Sequence, residues 1–155
     1  MTRWLNQTQQ RAWRSYIAGS LRLYERLDRE LRETHSLSML EYEILVRLSE
    51  APDRRIRMAE LAESAHQSRS RLSHTVARLE RAKLVKRSNC LDDRRGVYAV
   101  LTDDGFARLE KAAQSHVQGV REYFVDVIDD ESLVATGKVM KLVGERLGPP
   151  WDDPA

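Results

Sequence analysis

Apolar residues recur every three or four positions over most of the chain, and only one short region has the composition of strands. Trp13, Tyr16, Ile17, Leu21, Tyr24, Leu27 and Leu31 make one stripe, which predicts a long helix over residues 7–33. Gly19 interrupts that stripe, either weakening the helix or admitting another backbone at close range. The pattern breaks over 34–37. Ser38 followed by Glu41 has the form of a capping box and opens a second helix through Tyr42, Leu45, Val46 and Leu48. That helix stops before Ala51-Pro52-Asp53. A short strand is expected at 56–58 and a helix of two turns over 59–65. His66-Gln67-Ser68 then forms a turn, with Ser68 able to cap a helix over 69–82.

This last helix has a narrow apolar stripe, Leu72, Val76 and Leu79, and a broad polar, basic remainder. Two strands follow, 85–88 and 97–101, joined by a charged tip over 89–96. Thr102 and Asp103 are caps for a long helix to about 126, striped by Leu109, Ala113, His116 or Val117, Val120 and Phe124. A final helix over 130–147 carries Leu133, Val134, Val139, Met140, Leu142 and Val143, and the tail from Gly148-Pro149-Pro150-Trp151 onward is expected to be loose. The fold class is therefore mainly α with a small β wing. A short helix, a tight turn, a basic helix and a hairpin follow one another in winged helix-turn-helix order.

Composition narrows the function. The 155 residues are 41% hydrophobic and 32% charged, as in a soluble globular chain able to bury its own core. No apolar run is long enough for a membrane span or a signal peptide, so no membrane partner and a cytoplasmic address are expected. Cys90 is the only cysteine, which excludes an internal disulfide and a cysteine-rich zinc site. The net charge of +2 says little, but its distribution says more. Between His66 and Arg95 nine Lys/Arg face three acids, leaving +6, whereas the remainder carries −4. A basic patch in an otherwise acidic chain points to a polyanion, although a merely solvated basic face has the same signature.

Double-stranded DNA fits that patch. A major groove about 12 Å wide accepts one helix, whose outward side chains reach base edges and phosphates. Ser68, Ser70 and Ser73 are small enough for close approach, and Arg69, Arg71 and His74 can donate hydrogen bonds. Arg78 and Arg81 are placed for backbone phosphates, which position without specifying. Arg94 and Arg95 at the hairpin tip suit a minor groove, where arginine senses width.

The stretch from Val85 to Thr102, with Asp93 and Arg95 before an apolar run ending Leu101-Thr102, resembles the wing of the MarR family of bacterial transcriptional regulators. Glu60-Leu61-Ala62 through Leu79-Glu80-Arg81 resembles its helix-turn-helix, and the likeness covers most of the chain. One departure is Ala82-Lys83, where many members place a glycine. The resemblance implies a single MarR-type domain over 1–155, with a DNA-binding lobe over about 53–102 and a helical dimerisation region over about 1–35 and 103–148. It implies an obligate homodimer on a pseudo-palindromic operator. Asp93 falls on the family's acidic wing position and Arg95 on its minor-groove arginine. It further implies a repressor released by a small aromatic or anionic ligand, bound between the dimer helices and the DNA-binding lobe. Long helices with more apolar positions than a slim monomer can cover agree with dimerisation.

Trp13, Tyr16, Tyr24 and Tyr42 are candidates for such a ligand cleft, with Arg14, Arg22 or His116 opposing an anion, although aromatics at helical spacing are ordinarily core. Cys90 stands among cations that lower a thiol's pKa, so a redox-responsive regulator is an alternative. The peroxide sensors among MarR relatives use a cysteine of the first helix, which this chain lacks, and an inert wing cysteine is the plainer reading. A second alternative is a helical interaction module that does not bind DNA. Catalysis is not expected: His35, His66, His74 and His116 are scattered, without acidic helpers, and no Gly-rich phosphate loop occurs. Neither a metal nor a cofactor is expected.

Overall fold

A computed structural model describes residues 1–89, 91 and 96–148. Cys90, Asp93, Arg94, Arg95 and the tail from Pro149 lie outside the described residues. The elements run α1 (Gln7–His35), α2 (Met39–Glu50), β1 (Arg55–Arg57), α3 (Met58–Ser64), α4 (Arg69–Arg81), β2 (Val85–Asn89), β3 (Val97–Leu101), α5 (Asp103–Tyr123) and α6 (Asp130–Leu147). The mainly helical class with a small antiparallel sheet is as expected. Strand order is β1-β3-β2, so the expected hairpin carries a third strand on its inner edge.

Local chemistry sets the boundaries. The expected capping box on α2 forms, Ser38 Oγ accepting from Glu41 N at 3.1 Å while Ser38 N donates to Glu41 Oε2 at 2.7 Å. An unforeseen second box, Asn6 with Gln9, opens α1. That helix runs two residues beyond the expected Glu33 and ends where Ser36 turns left-handed (φ 55°). Thr102 caps α5 by accepting from Gly105 N at 2.9 Å. β1 starts one residue earlier than expected because Ile56 is its inward residue, registered against Ala99, with Arg55 and Arg57 turned out. α5 stops at Tyr123, three residues short of expectation: Phe124 leaves helical geometry (φ −135°) and a 3-10 turn, Val125–Val127, follows.

The core lies where α2 and α4 meet the sheet and the middle of α5. Ile44, Leu45, Leu48, Leu61, Leu72, Val76, Leu79, Ala99 and Ala112 are fully buried there. α4 thus turns its predicted stripe inward. The first turn of α5 packs so tightly on the chain entering β2 that a Cβ on Gly105 would lie 2.1 Å from the Leu84 carbonyl oxygen. Gly19, by contrast, has nothing within 4 Å in this chain, so it marks no close approach here.

The long stripes have a different fate. Only Leu27 and Leu31 of the α1 stripe are buried, while Trp13, Tyr16, Leu21 and Tyr24 stay exposed. α6 has no buried residue at all, and Val134, Val139, Leu142 and Val143 stand in solvent. On α5, His116 takes the inward position and Val117 is 55% exposed. Among the described residues no helix is long and apolar enough to cross a membrane, and no cluster of His, Cys, Asp or Glu is arranged to hold a metal.

Candidate nucleic-acid interface

The turn between α3 and α4 places the interface. Gln67 N donates to Ala62 O at 2.9 Å, His66 takes a left-handed conformation (φ 53°), and Ser68 Oγ accepts from Arg71 N at 3.2 Å to start α4. Thr75, buried on the inner side, satisfies its hydroxyl on Arg71 O at 3.0 Å. With Leu72, Thr75, Val76 and Leu79 inward, Arg69, Ser70, Arg71, His74, Arg78 and Arg81 are all exposed. Ser68 and Ser73 are half-buried at the margins.

A groove runs along each flank of α4. On one side, a cavity of about 560 Å³ lies between Tyr24, Asp28 and Arg32 of α1 and the α4 residues Ser70, Arg71, His74 and Arg78, with Ser68 at the cap. Partial desolvation in this groove raises the Tyr24 hydroxyl pKa although the residue is half exposed, helped by the Asp28 and Glu43 charges. On the other side, about 390 Å³ is enclosed by Arg57 at the end of β1, Arg69 and Ser73 of α4, Arg87 of β2 and Gly96-Val97. Arg87 spans this second seam, its Nε on Glu80 Oε1 and its Nη2 donating to Ser73 O at 3.1 Å. Five of the expected DNA-reading residues therefore share the first groove, and Arg69 and Ser73 share the second.

The comparisons with known proteins bear on this arrangement. Residues 37–97 match the model of the MarR family. Sco3205 of Streptomyces coelicolor, a MarR family transcriptional regulator solved in complex with DNA, is 42% identical over 97% of this chain and 98% of its own, with a TM-score of 0.94. The chain belongs to the MarR family of transcriptional regulators. A second MarR regulator from that organism, AbsC, is 44% identical over 94% of this chain and 98% of its own, with a TM-score of 0.90. BpsR of Bordetella bronchiseptica, whose DNA binding is regulated by 6-hydroxynicotinic acid, shares the fold at 18% identity. It covers 84% of this chain and 90% of its own, with a TM-score of 0.75. A comparison with curated protein sequences gave no match.

Within this MarR regulator four of the expected cleft residues fall into two pairs, while Tyr24 lines the first α4 groove. Trp13 and Tyr16 stack on the surface of α1 with centroids 5.9 Å apart. Tyr42 is buried and packs against His116 at 4.5 Å. Trp13 lies fourteen residues along α1 from core residue Leu27, roughly 21 Å at the helical rise. His116 lines a separate cavity of about 310 Å³ with Glu30, Ser115 and Tyr123 among others. Burial lowers its pKa against the opposing pull of Glu43 and Glu30, and its Nδ1 has no hydrogen-bond partner among the described residues.

Arg57 and Arg87 line the second groove without having been singled out from the sequence. Arg87 was counted only as charge, since its contact with Ser73 joins positions fourteen residues apart. Arg57 precedes the basic run altogether. Its signal was the alternation Arg55-Ile56-Arg57, which turns both arginines out beside Tyr98, with guanidinium carbons 5.0 and 5.8 Å from the ring centroid.

Proposed function

We propose that this MarR regulator is a homodimeric, sequence-specific repressor that α4 docks into the major groove of a pseudo-palindromic operator. The observation that carries this reading is the outward face of α4, where Arg69, Ser70, Arg71 and His74 project together while the apolar stripe is buried. Ser68, Ser70, Ser73, Arg71 and His74 approach base edges, and Arg69 and Arg78 take phosphates. Arg94 and Arg95 enter the flanking minor groove, with Asp93 orienting Arg95. Exposed stripes on α1 and α6 support the homodimer, in which residues 1–35 and 103–148 pair two lobes spanning about 53–102. A cytoplasmic location follows from that role. Release from DNA falls to a small aromatic or anionic effector. The groove between Tyr24 and α4 supports this, because a ligand there would occupy the space beside the reading residues Arg71 and His74.

Fluorescence anisotropy tests the reading, using the DNA upstream of the regulator's own gene against a scrambled duplex at two salt concentrations. Tight, selective binding that weakens steeply with salt is expected, and Arg95→Ala should weaken it without dissolving the dimer. Equal, salt-insensitive binding to both duplexes would refute it.

A further inference from the structure

We propose that Arg87 is a positioning residue for DNA recognition: it clasps the wing strand β2 to α4, so that the helix and the wing meet the duplex as one unit. This rests on the DNA-binding reading and adds to it a residue that acts through the protein's own parts rather than on DNA.

Three observations converge on it. First, the grip on α4 is extended. Arg87 engages the Glu80 carboxylate through Nε, while its Nη2 donates to Ser73 O at 3.1 Å and lies 3.4 Å from Ser73 Oγ. Ser73 and Glu80 stand two turns apart on one face of the helix, roughly 10 Å along its axis. Glu80 reaches back along α4, and Ser73 offers a mid-helix carbonyl whose second lone pair accepts without breaking the helix. Second, the clasp sits where the hairpin leaves the core. Val85 at the start of β2 is 2% exposed, and every later residue of that strand is exposed. Arg87 stands beyond Val85, opposite Ala99 of β3, so on this strand the apolar anchor ends before the clasp begins. Third, the clasp closes on the reading surface. Ser73 shares its turn of α4 with the exposed residues Ser70 and His74, so a bond to its backbone sets the strand against that turn.

The chemistry favours positioning over charge. The Arg87 and Glu80 side chains are 35% and 34% exposed, and an ion pair so open adds little stability. Its charge-assisted bonds still fix geometry. Paired with Glu80, Arg87 brings little net positive field toward a polyanion. What it supplies is a fixed angle between two parts that contact DNA. A wing free to swing loses orientational entropy on every specific encounter. Binding to an arbitrary duplex suffers less, because phosphate contacts do not require both parts to fit at once.

The test is Arg87→Met, Arg87→Lys and Glu80→Ala in the full-length protein, titrated with the upstream DNA and with a scrambled duplex over a range of salt. Arg87→Met and Glu80→Ala should each weaken binding to the upstream DNA about fivefold, and to the scrambled duplex by less than about twofold. The slope of log K against log salt should stay as in wild type. The melting temperature should move by no more than about 3 °C. Glu80→Ala decides the sign, since it makes the protein more positive and charge alone would then strengthen binding. Arg87→Lys, which loses the fork, should recover part of the loss. In an Arg95→Ala background, Arg87→Met should cost less than about twofold more, because that wing lacks the arginine to be aimed. Equal loss on both duplexes with a shallower salt slope, stronger binding by Glu80→Ala, the same loss in both backgrounds, or a melting temperature that fell in step with affinity would overturn the clasp while leaving the regulator reading intact. Wild-type protein without salt-dependent affinity for either duplex would overturn that reading, and the clasp with it.

Discussion

Arg78 of α4 meets Glu41 of α2, Nε to Oε1 at 3.1 Å, and so ties the basic helix to the helix behind it. The Glu41 carboxylate is 12% exposed and also receives the Ser38 N–H, whereas Arg78 is half in solvent. In the proposed DNA-bound arrangement a phosphate therefore competes with Glu41 for Arg78. Glu41→Gln keeps the capping box, since an amide oxygen serves as well there, and releases the arginine. DNA affinity for any duplex should rise by about threefold with a steeper salt slope. The lost ion pair should cost no more than about 0.5 kcal/mol. Weaker binding would mean that the pair is needed to hold α4 in place.

Gly105 is predicted to be irreplaceable. A methyl group there would meet the Leu84 carbonyl at 2.1 Å and the Leu101 side chain at 2.7 Å, and backbone cannot move aside as a flexible side chain can. Gly105→Ala should destabilise by about 3 kcal/mol despite its better helix propensity. Thermal unfolding would show it, with Leu79→Ala, a cavity at a residue 1% exposed, as a comparison of similar size.

Periodicity made α4 and α6 legible because each ends at a residue whose side chain or backbone stops the helix. Ser68 and Asp129 cap the starts, and Gly148 terminates α6 with a positive φ of 67°. The end of α5 was not legible, since the break at Phe124 is closed by a contact beyond the helix, Arg121 Nη2 to Asp126 Oδ1 at 2.6 Å. Of the site, the α4 face was readable from spacing alone. The placing of Arg57 and Arg87 beside it was not, because a one-dimensional charge count cannot say which cations the sheet brings beside α4. Nor can a stripe say what covers it: Leu31 and Leu142 have the same pattern, yet one is buried and the other 57% exposed.

Lys83 stands left-handed (φ 62°) between α4 and β2, at the place where the family resemblance expects glycine. Its N–H reaches Glu80 O at 2.9 Å and Leu84 N reaches Leu79 O at 3.0 Å, closing the helix end. A side chain in this conformation is strained. Lys83→Gly should raise stability by about 0.5–1 kcal/mol with DNA affinity nearly unchanged. A lower melting temperature would show that the lysine's own contacts outweigh the strain.

Asp28 links α1 to the start of α2, Oδ1 accepting from Met39 N at 2.7 Å and Oδ2 from Arg32 at 2.6 Å. Burial works to raise its pKa, but those two hydrogen bonds and the arginine's charge outweigh it and hold the carboxyl below its ordinary value. A depressed folded pKa stabilises fully above the unfolded value, near pH 4, and the stabilisation disappears as pH falls through the folded value. Asp28→Asn should therefore lower stability by about 1 kcal/mol at pH 7. The gap between variant and wild type should begin to narrow as pH falls below about 4. A gap that did not narrow at all as pH fell would assign the effect to packing.

Homodimerisation makes the last prediction. Val139, Met140, Val143 and Leu147 lie along one side of α6 by helical spacing, and all are exposed in the single chain. Apolar surface of this extent on a lone helix needs a cover, and in the proposed homodimer the exposed stripe on α1 of a second copy, with Trp13 and Leu21, supplies it. Val143→Asp places a charge in the middle of that surface and leaves every buried residue of the chain untouched. Sedimentation should then show a monomer that keeps its helical content. Because two lobes bind an operator jointly, the monomer should lose at least about a hundredfold in operator affinity. It should keep the weak, salt-dependent binding of one lobe to any duplex. A variant that stayed dimeric with full operator affinity would place the partner surface away from α6.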